Sequence, residues 1–202
     1  MTNLYITNQR SIYEFLAENN LNCYLFHSIY DVKIDSPGVV IKTLKIADTT
    51  YNICLTEMNG SSINDIDNEI RKHDYVCLVN ASSPNEESQF NFDMMLSQLS
   101  EKNKISCIKR LWINDVNEIY SLDLVNTGTM RDNSDFKNTS QFYLAKKLID
   151  NYWQNSKITS QDDTKLTLQH YYILALLVSH DNKIDADVQS TYLTLTASYP
   201  KS

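Results

Sequence analysis

The chain contains only three glycines in 202 residues, Gly38, Gly60 and Gly128. A loop that wraps a phosphate between a strand and a helix depends on glycine, because only a residue without a Cβ lets successive backbone amides close around an anion. The first junction of this kind spans residues 5–11 and has no glycine. The sequence therefore predicts that this chain does not hold a nucleotide in the usual way.

The composition is that of a globular chain with an acidic balance. Hydrophobic residues make up 42% and charged residues 21% of the chain, which is enough for one substantial core. The formal net charge is −7, and Lys and Arg form pairs such as Lys146 and Lys147 but no cluster. Nucleic-acid affinity rests on clustered cations, so we expect no direct binding to nucleic acid.

The apolar segments are short. The longest candidate spans residues 171–178, well below the ~18 to 20 residues of a membrane helix. Residues 1–5 lack the basic segment followed by an apolar one that a secretory signal requires. We therefore expect an intracellular protein, cytoplasmic or nuclear, without membrane insertion.

Hydrophobic periodicity in the first part of the chain indicates short strands and helices. The predicted elements are a strand at 4–6, a helix at 11–16, a strand at 22–27, and an antiparallel hairpin formed by 39–46 and 51–55. Asn8 or Ser11 is expected to cap the first helix, and Asn19 with Asn20 to end it.

Strands and helices continue to alternate in the rest of the chain. The pattern predicts a helix at 63–72, a strand at 75–79, a helix after Pro84 that reaches Leu99, a strand at 105–108, a polar loop at 126–138, a helix at 142–153 and a polar linker at 155–164. Residues 75–79 are continuously apolar, so this strand should lie at the sheet centre with both faces covered. Glu86 and Glu87 are expected as charges in the first turn of a helix.

This order of elements favours the α/β class, with a mostly parallel central sheet, helices on both faces and an early antiparallel hairpin. Residues 1–155 are predicted to form this domain. Residues 156–202 are predicted to form a helical extension that packs on the domain or on a partner.

Residues 3–153 resemble a small GTPase domain in the order of their elements and in local segments. Asp74 to Asn80, followed by Ser88 to Phe90, is similar to the family's fourth strand and the helix after it. Thr56 to Gly60 stands where the family has its Asp-x-x-Gly element, with the glycine kept and Thr56 in place of the aspartate. The resemblance implies the fold of that family.

This sequence lacks most of the family's nucleotide-binding motifs. The phosphate loop with its lysine and its magnesium-binding hydroxyl is missing, and of the guanine-reading Asn-Lys-x-Asp element only Asn114 and Asp115 correspond. The resemblance therefore implies a pseudo-GTPase without nucleotide or other cofactor. Two non-catalytic families of this kind are centromere protein M and the adaptin-binding trafficking chaperones, which suggests a kinetochore-type or vesicle-trafficking-type role as a structural subunit or as an assembly or adaptor factor.

Two other hypotheses stand beside the interaction subunit. One is an enzyme, either a nucleotide-binding protein with an unorthodox loop or an α/β hydrolase, although Ser82 and Ser83 lack the Gly-x-Ser-x-Gly elbow. The other is a flavodoxin-like signalling module, for which Glu57 is the only acidic residue at the strand ends that such a module uses.

The four cysteines each fall within a predicted strand, with spacings unlike those of a metal knuckle. They are Cys23, Cys54, Cys77 and Cys107. At strand centres we expect them to act as small buried apolar side chains, since nothing there would stabilise a reactive thiolate.

The candidate contact surface for partner subunits lies mainly in the C-terminal part. Tyrosine occurs thirteen times in the chain, and Tyr171, Tyr172 and Leu176 belong to a predicted helix that is apolar around most of its circumference. Tyrosine and tryptophan are favoured at interfaces because they bury a large area and keep a hydrogen bond. We expect these three residues, with Trp112, to bind other protein chains in a hetero-oligomer, unless the helix packs on its own domain.

Overall fold

The computed structural model describes residues 2–27, 30–46, 49–57, 63–113 and 130–158. Within these ranges, only the backbone is described at residues 45, 46, 49, 57, 149 and 151–158. The chain divides into two compact units, which are Met1–Tyr30 with Glu57–Ser140, and Asp31–Thr56 with Gln141–Ser202.

A five-stranded sheet forms the centre of the first unit. Its strands in chain order are β1 (Thr2–Thr7), β2 (Cys23–Leu25), β6 (Val76–Asn80), β7 (Ile105–Arg110) and β8 (Arg131–Asp132). The spatial order is β2-β1-β6-β7-β8, in which all neighbours are parallel except the antiparallel pair of β7 and β8. The fold is thus α/β with a mostly parallel sheet, as the sequence predicted.

Strand β6 is the middle strand of this sheet, and all five of its residues are buried. One face carries a cluster in which Tyr5 and Val79 pack with Ile12. Leu4 and Leu78 are equally buried and, because side chains alternate along a strand, belong to the other face. Both faces of the centre are therefore covered, which confirms the interpretation of the continuous apolar run.

Four α-helices are described. They are α1 (Arg10–Glu18), α2 (Ile63–Arg71), α3 (Glu86–Gln98) and α4 (Lys137–Ile158). Helix α1 buries Ile12 and Leu16, one helical turn apart. It ends at Asn19 and Asn20, the latter with a positive φ of 57°, as predicted.

The early hairpin belongs to a second, three-stranded sheet with the order β3-β5-β4. Its strands are β3 (Tyr30–Ile34), β4 (Val39–Ile46) and β5 (Thr49–Glu57). Strands β4 and β5 are antiparallel, which confirms the predicted hairpin, whereas β3 was not predicted. Before β4, Gly38 has a φ of 154°, and a Cβ there would lie 2.5 Å from the carbonyl oxygen of Leu55. Glycine is therefore required at this turn.

Helix α4 is longer than its apolar stripe suggested. It begins at Lys137, within the predicted loop at 126–138, and continues to Ile158, within the predicted linker. The part of that loop before the helix contains β8 and a 3₁₀ turn at Asn133–Phe136. The polar residues at both ends of α4 led to the prediction of a loop and a linker there. A helix needs apolar residues only on the side that it buries, so polar residues do not exclude it. The extension after Ile158 and the division at residue 155 stay predictions.

Two of the cysteines are not free thiols. Cys77 on β6 and Cys107 on β7 are register partners with Cα atoms 4.7 Å apart, and they form a disulfide. The expectation of four separate apolar thiols was therefore wrong for this pair, because strand register brings together residues that sequence spacing keeps apart. Cys23 and Cys54 are free, and Cys54 lies in the antiparallel sheet instead of the parallel one.

Candidate functional site

The candidate site lies where the strand order reverses in the parallel sheet. From β1 the chain passes through α1 to β2 on one side, and from β6 it passes through α3 to β7 on the other side. Open α/β sheets bind their ligands at such a point, outside the carboxyl ends of the strands. A cavity of about 280 Å³ is present here, lined by residues that follow β1 and β6 and by the start of α3. We call it the switch-point cavity.

The connection from β1 to α1 consists of Asn8 and Gln9 alone. Asn8 Oδ1 accepts hydrogen bonds from the backbone N–H of Ser83 (2.8 Å) and from its hydroxyl (3.2 Å), and Asn8 Nδ2 donates to Ser88 Oγ (2.9 Å). Gln9 is the N-cap of α1 and makes no side-chain cap hydrogen bond. The prediction that Asn8 or Ser11 caps this helix was therefore wrong, since the side chain of Asn8 crosses to the neighbouring strand's loop.

Four backbone N–H groups around this point donate hydrogen bonds to side-chain oxygens of the protein. The pairs are Gln9 with Thr7 Oγ1 (3.1 Å), Ser82 with Asn80 Oδ1 (3.2 Å), Ser83 with Asn8 Oδ1 (2.8 Å) and Ser88 with Asn85 Oδ1 (2.8 Å). In a phosphate site such N–H groups would point at the anion. Here these four N–H groups are hydrogen-bonded to asparagine and threonine oxygens.

Helix α3 begins at the cavity with acidic residues. Asn85 is its N-cap, and Glu86 and Glu87 lie in its first turn, as predicted. The acidic side chains interact favourably with the positive end of the helix dipole and so reduce its attraction for another anion.

Arg110, at the end of β7, lies buried behind the serines of the cavity with 1% of its surface exposed. Its Nη1 donates to the carbonyl of Asn80 (3.2 Å) and to Ser82 Oγ (3.0 Å), and its Nη2 donates to the carbonyl of Ser83 (2.8 Å). Burial lowers the pKa of Arg110 to about 10, while the charge of Asp93 opposes that shift. The guanidinium thus supports the loop after β6 instead of facing the cavity as a free cation.

Asp93 on α3 is the acidic member of the same network. Its Oδ1 accepts from Gln89 Nε2 and Asn133 Nδ2, both at 3.0 Å. Burial raises the pKa of Asp93, and hydrogen bonds from Asn133, Gln89 and Ser140 together with the charge of Arg110 work in the opposite direction. The network joins β6, β7, α3 and the 3₁₀ turn before α4.

The hydroxyls of Ser82 and Ser83 are hydrogen-bonded to asparagine and arginine side chains in the described part of the chain. Ser82 Oγ donates to Asn80 Oδ1 and accepts from Arg110, and Ser83 Oγ donates to Asn8. Nucleophilic catalysis requires a base that removes the hydroxyl proton. No such hydrogen bond to a histidine or a carboxylate is found for these serines among the described residues.

The described part of the chain also contains no group of three or more His, Cys, Asp or Glu side chains that could hold a metal ion. None of the described helices combines the length and the apolar character that a membrane crossing needs.

Of the four predicted contact residues, Trp112 is described. It is partly exposed, its ring stacks on Phe136 with a centroid distance of 4.9 Å and an angle of 9°, and the guanidinium of Arg110 lies 4.9 Å from its ring centroid. Tyr171, Tyr172 and Leu176 lie outside the described residues, so their role stays a prediction.

Several site residues were not predicted from the sequence, among them Asn80, Asn91, Asp93 and Arg110. One available signal is the small polar residues at the ends of both strands, where β1 ends in Thr7 and continues with Asn8, and β6 is followed after Ala81 by Ser82 and Ser83. The burial of Arg110 has no local signal, because it follows from the position of β7 inside the sheet.

The sequence matches no protein-family model and no curated protein.

Proposed function

We propose that this protein is a non-catalytic pseudo-GTPase, a structural subunit or an assembly or adaptor factor of an intracellular protein complex. One observation carries the proposal, namely that the backbone N–H groups at the switch point are hydrogen-bonded to the protein's own side chains. The scaffold is that of a ligand-binding α/β domain, while the groups that would hold a triphosphate are engaged internally.

The energetic argument supports the absence of nucleotide binding. A triphosphate would have to displace the oxygens of Asn8 and Asn85 from Ser83 and Ser88, and each such hydrogen bond contributes about 0.5–1.5 kcal/mol. The two-residue connection after β1 provides no lysine to compensate for this loss. Arg110 cannot compensate without giving up its own bonds to the loop.

Thermal unfolding with and without GTP, GDP or ATP, each with Mg²⁺, tests this part of the proposal. We expect no shift of the midpoint, whereas a nucleotide at ~100 times its Kd would add about 2.7 kcal/mol. A saturable increase with any of the three would contradict the proposal and favour the nucleotide-binding alternative.

The interaction part rests on the predicted surface of Tyr171, Tyr172, Leu176 and Trp112. After purification from native cells and identification of the associated chains, Tyr172→Glu combined with Leu176→Glu should abolish the association while the free protein stays folded. Tyr75→Glu is the matched control, because Tyr75 is 62% exposed and does not belong to the predicted set of contact residues. Loss of folding in the double variant would place the helix in the core, and an unchanged association would contradict the surface.

A further inference from the structure

The switch-point cavity contains a hydrogen-bond donor that the protein does not use. Asn91 on α3 lines the cavity and is only 8% exposed. Its Oδ1 accepts from the backbone N–H of Tyr30 at 3.3 Å, which directs the NH₂ group away from that strand. Nδ2 makes no hydrogen bond with the described residues. Nδ2 therefore has donor capacity for an acceptor that a ligand supplies.

A second polar group of the cavity has donor capacity left. Ser88 Oγ accepts from Asn8 Nδ2, and its own hydrogen is donated to no described residue. Asn91 and Ser88 lie about one turn apart on α3, and both line the cavity. The polar wall therefore offers donors to a carbonyl-type acceptor.

The charges around the cavity select against an anionic ligand. The backbone N–H groups of Ser83 and Ser88 are already engaged, and Glu86 and Glu87 begin the helix. The buried cation of Arg110 donates to the loop carbonyl and hydroxyl groups behind the cavity. A carboxylate or phosphate would meet the acidic side chain of Glu87, and His27 is the one basic side chain among the described residues that line the cavity.

Part of the remaining wall is apolar. Ile6, Phe26 and Phe92 line the cavity and are each at most 4% exposed. Small-molecule sites combine such a wall with a few placed polar groups that fix the ligand's orientation. With about 280 Å³, this cavity has the size for one small ring.

We propose that the switch-point cavity binds a small uncharged ring compound that bears a carboxamide or a similar carbonyl group. The carbonyl oxygen accepts from Asn91 Nδ2, and the ring lies against Phe26 and Phe92. This ligand is additional to the proposed function, since an interaction subunit requires no small molecule.

Isothermal titration calorimetry of the full chain with benzamide and with benzoate tests the proposal. The two probes have the same shape and differ in charge. We expect saturable binding of benzamide and binding of benzoate that is weaker by about tenfold or more. Equal or tighter binding of benzoate would overturn the proposal, and so would the absence of saturable benzamide binding up to its solubility limit.

Asn91→Asp keeps an acceptor for the N–H of Tyr30 and removes the donor. It should weaken benzamide binding by about tenfold, whereas Asn103→Asp, at an exposed position, should leave it unchanged. A measurement on the unaltered protein covers the case in which the variant does not fold. The side-chain ¹⁵N–¹H resonances of Asn91 should shift on addition of benzamide, and fixed resonances during saturable binding would show that the site lies elsewhere.

Discussion

The side-chain oxygen of Asn8, at the end of β1, accepts a hydrogen bond of 2.8 Å from the backbone N–H of Ser83, 75 residues later in the chain. The same oxygen accepts from the hydroxyl of Ser83, and the amide nitrogen of Asn8 donates to Ser88. Asn8 thus connects the loop after β1 with the loop after β6 and with the first turn of α3. In α/β domains that bind nucleotides, the phosphate-binding turn follows the first strand of such a sheet.

Asn8→Ala should lower the free energy of unfolding by about 1–3 kcal/mol, because the N–H and hydroxyl of Ser83 lose their acceptor in a partly buried place. Urea denaturation measures the change. The control is Asn103→Ala at an exposed position, for which we expect a change within about 0.5 kcal/mol. Equal stability of the two variants would mean that Asn8 does not hold the loops together.

Arg110→Met should be more damaging, by about 3–5 kcal/mol, because it leaves the carbonyls of Asn80 and Ser83 and the hydroxyl of Ser82 without their donor and removes the positive charge that acts on Asp93. The double variant Arg110→Met with Asp93→Asn should lose less than the sum of the single variants. Arg131→Met is the control. It removes an exposed arginine whose guanidinium, like that of Arg110, lies over the ring of Phe136, and it should cost under about 1 kcal/mol. Strict additivity in the double-mutant cycle would disprove the coupling between Arg110 and Asp93.

The raised pKa of Asp93 predicts a pH dependence of stability. The folded state holds this proton more firmly than the unfolded state does, so the group's stabilising contribution is complete below the ordinary aspartate pKa and is lost as the pH rises through the raised value. Relative to Asp93→Asn, the unaltered protein should therefore gain stability as the pH falls from 7 towards about 4. Urea denaturation of both proteins across this range checks the sign. A difference that is constant with pH, or one that grows in the opposite direction, would contradict the raised pKa.

The disulfide between Cys77 and Cys107 closes a loop with a sequence separation of 30. On loop length alone, its reduction should lower the free energy of unfolding by about 3–4 kcal/mol. Guanidinium denaturation with and without dithiothreitol measures this change, and Cys107→Ser should make the protein insensitive to the reductant. Under non-reducing conditions the unfolded chain should expose two reactive thiols, those of Cys23 and Cys54. Four reactive thiols would show that the bond is not formed.

Much of the architecture follows from local patterns. The continuous apolar run at β6 predicts its central position, the hairpin of β4 and β5 follows from two β-rich runs around a short connector, and the acidic pair Glu86 and Glu87 predicts the first turn of α3. These features depend on residues that are close in the chain. Strand β3 was missed because its polar residues, Asp31 and Lys33, weaken the apolar signal of a short segment.

The candidate site was much less predictable. The small polar residues after β1 and β6 are visible in the sequence, but the unused donor of Asn91 is apparent only once Tyr30 is known to occupy the other side of that amide. The pairing of Cys77 with Cys107 likewise depends on the register between two strands. A side chain's partners across a sheet have no fixed separation along the chain, so spacing rules cannot find them.

The sequence by itself determined the order of the strands and helices other than β3 and β8, and it excluded a glycine-built phosphate loop after the first strand, because hydrophobic periodicity and glycine content act over a few neighbouring residues. Only the tertiary structure decided that Asn8 engages Ser83, that Arg110 is buried beside that loop, and that a cavity with an open amide donor lies between the ends of β1 and β6. Those contacts arise when parallel strands align their carboxyl ends at one edge of the sheet, which brings together side chains from distant parts of the chain.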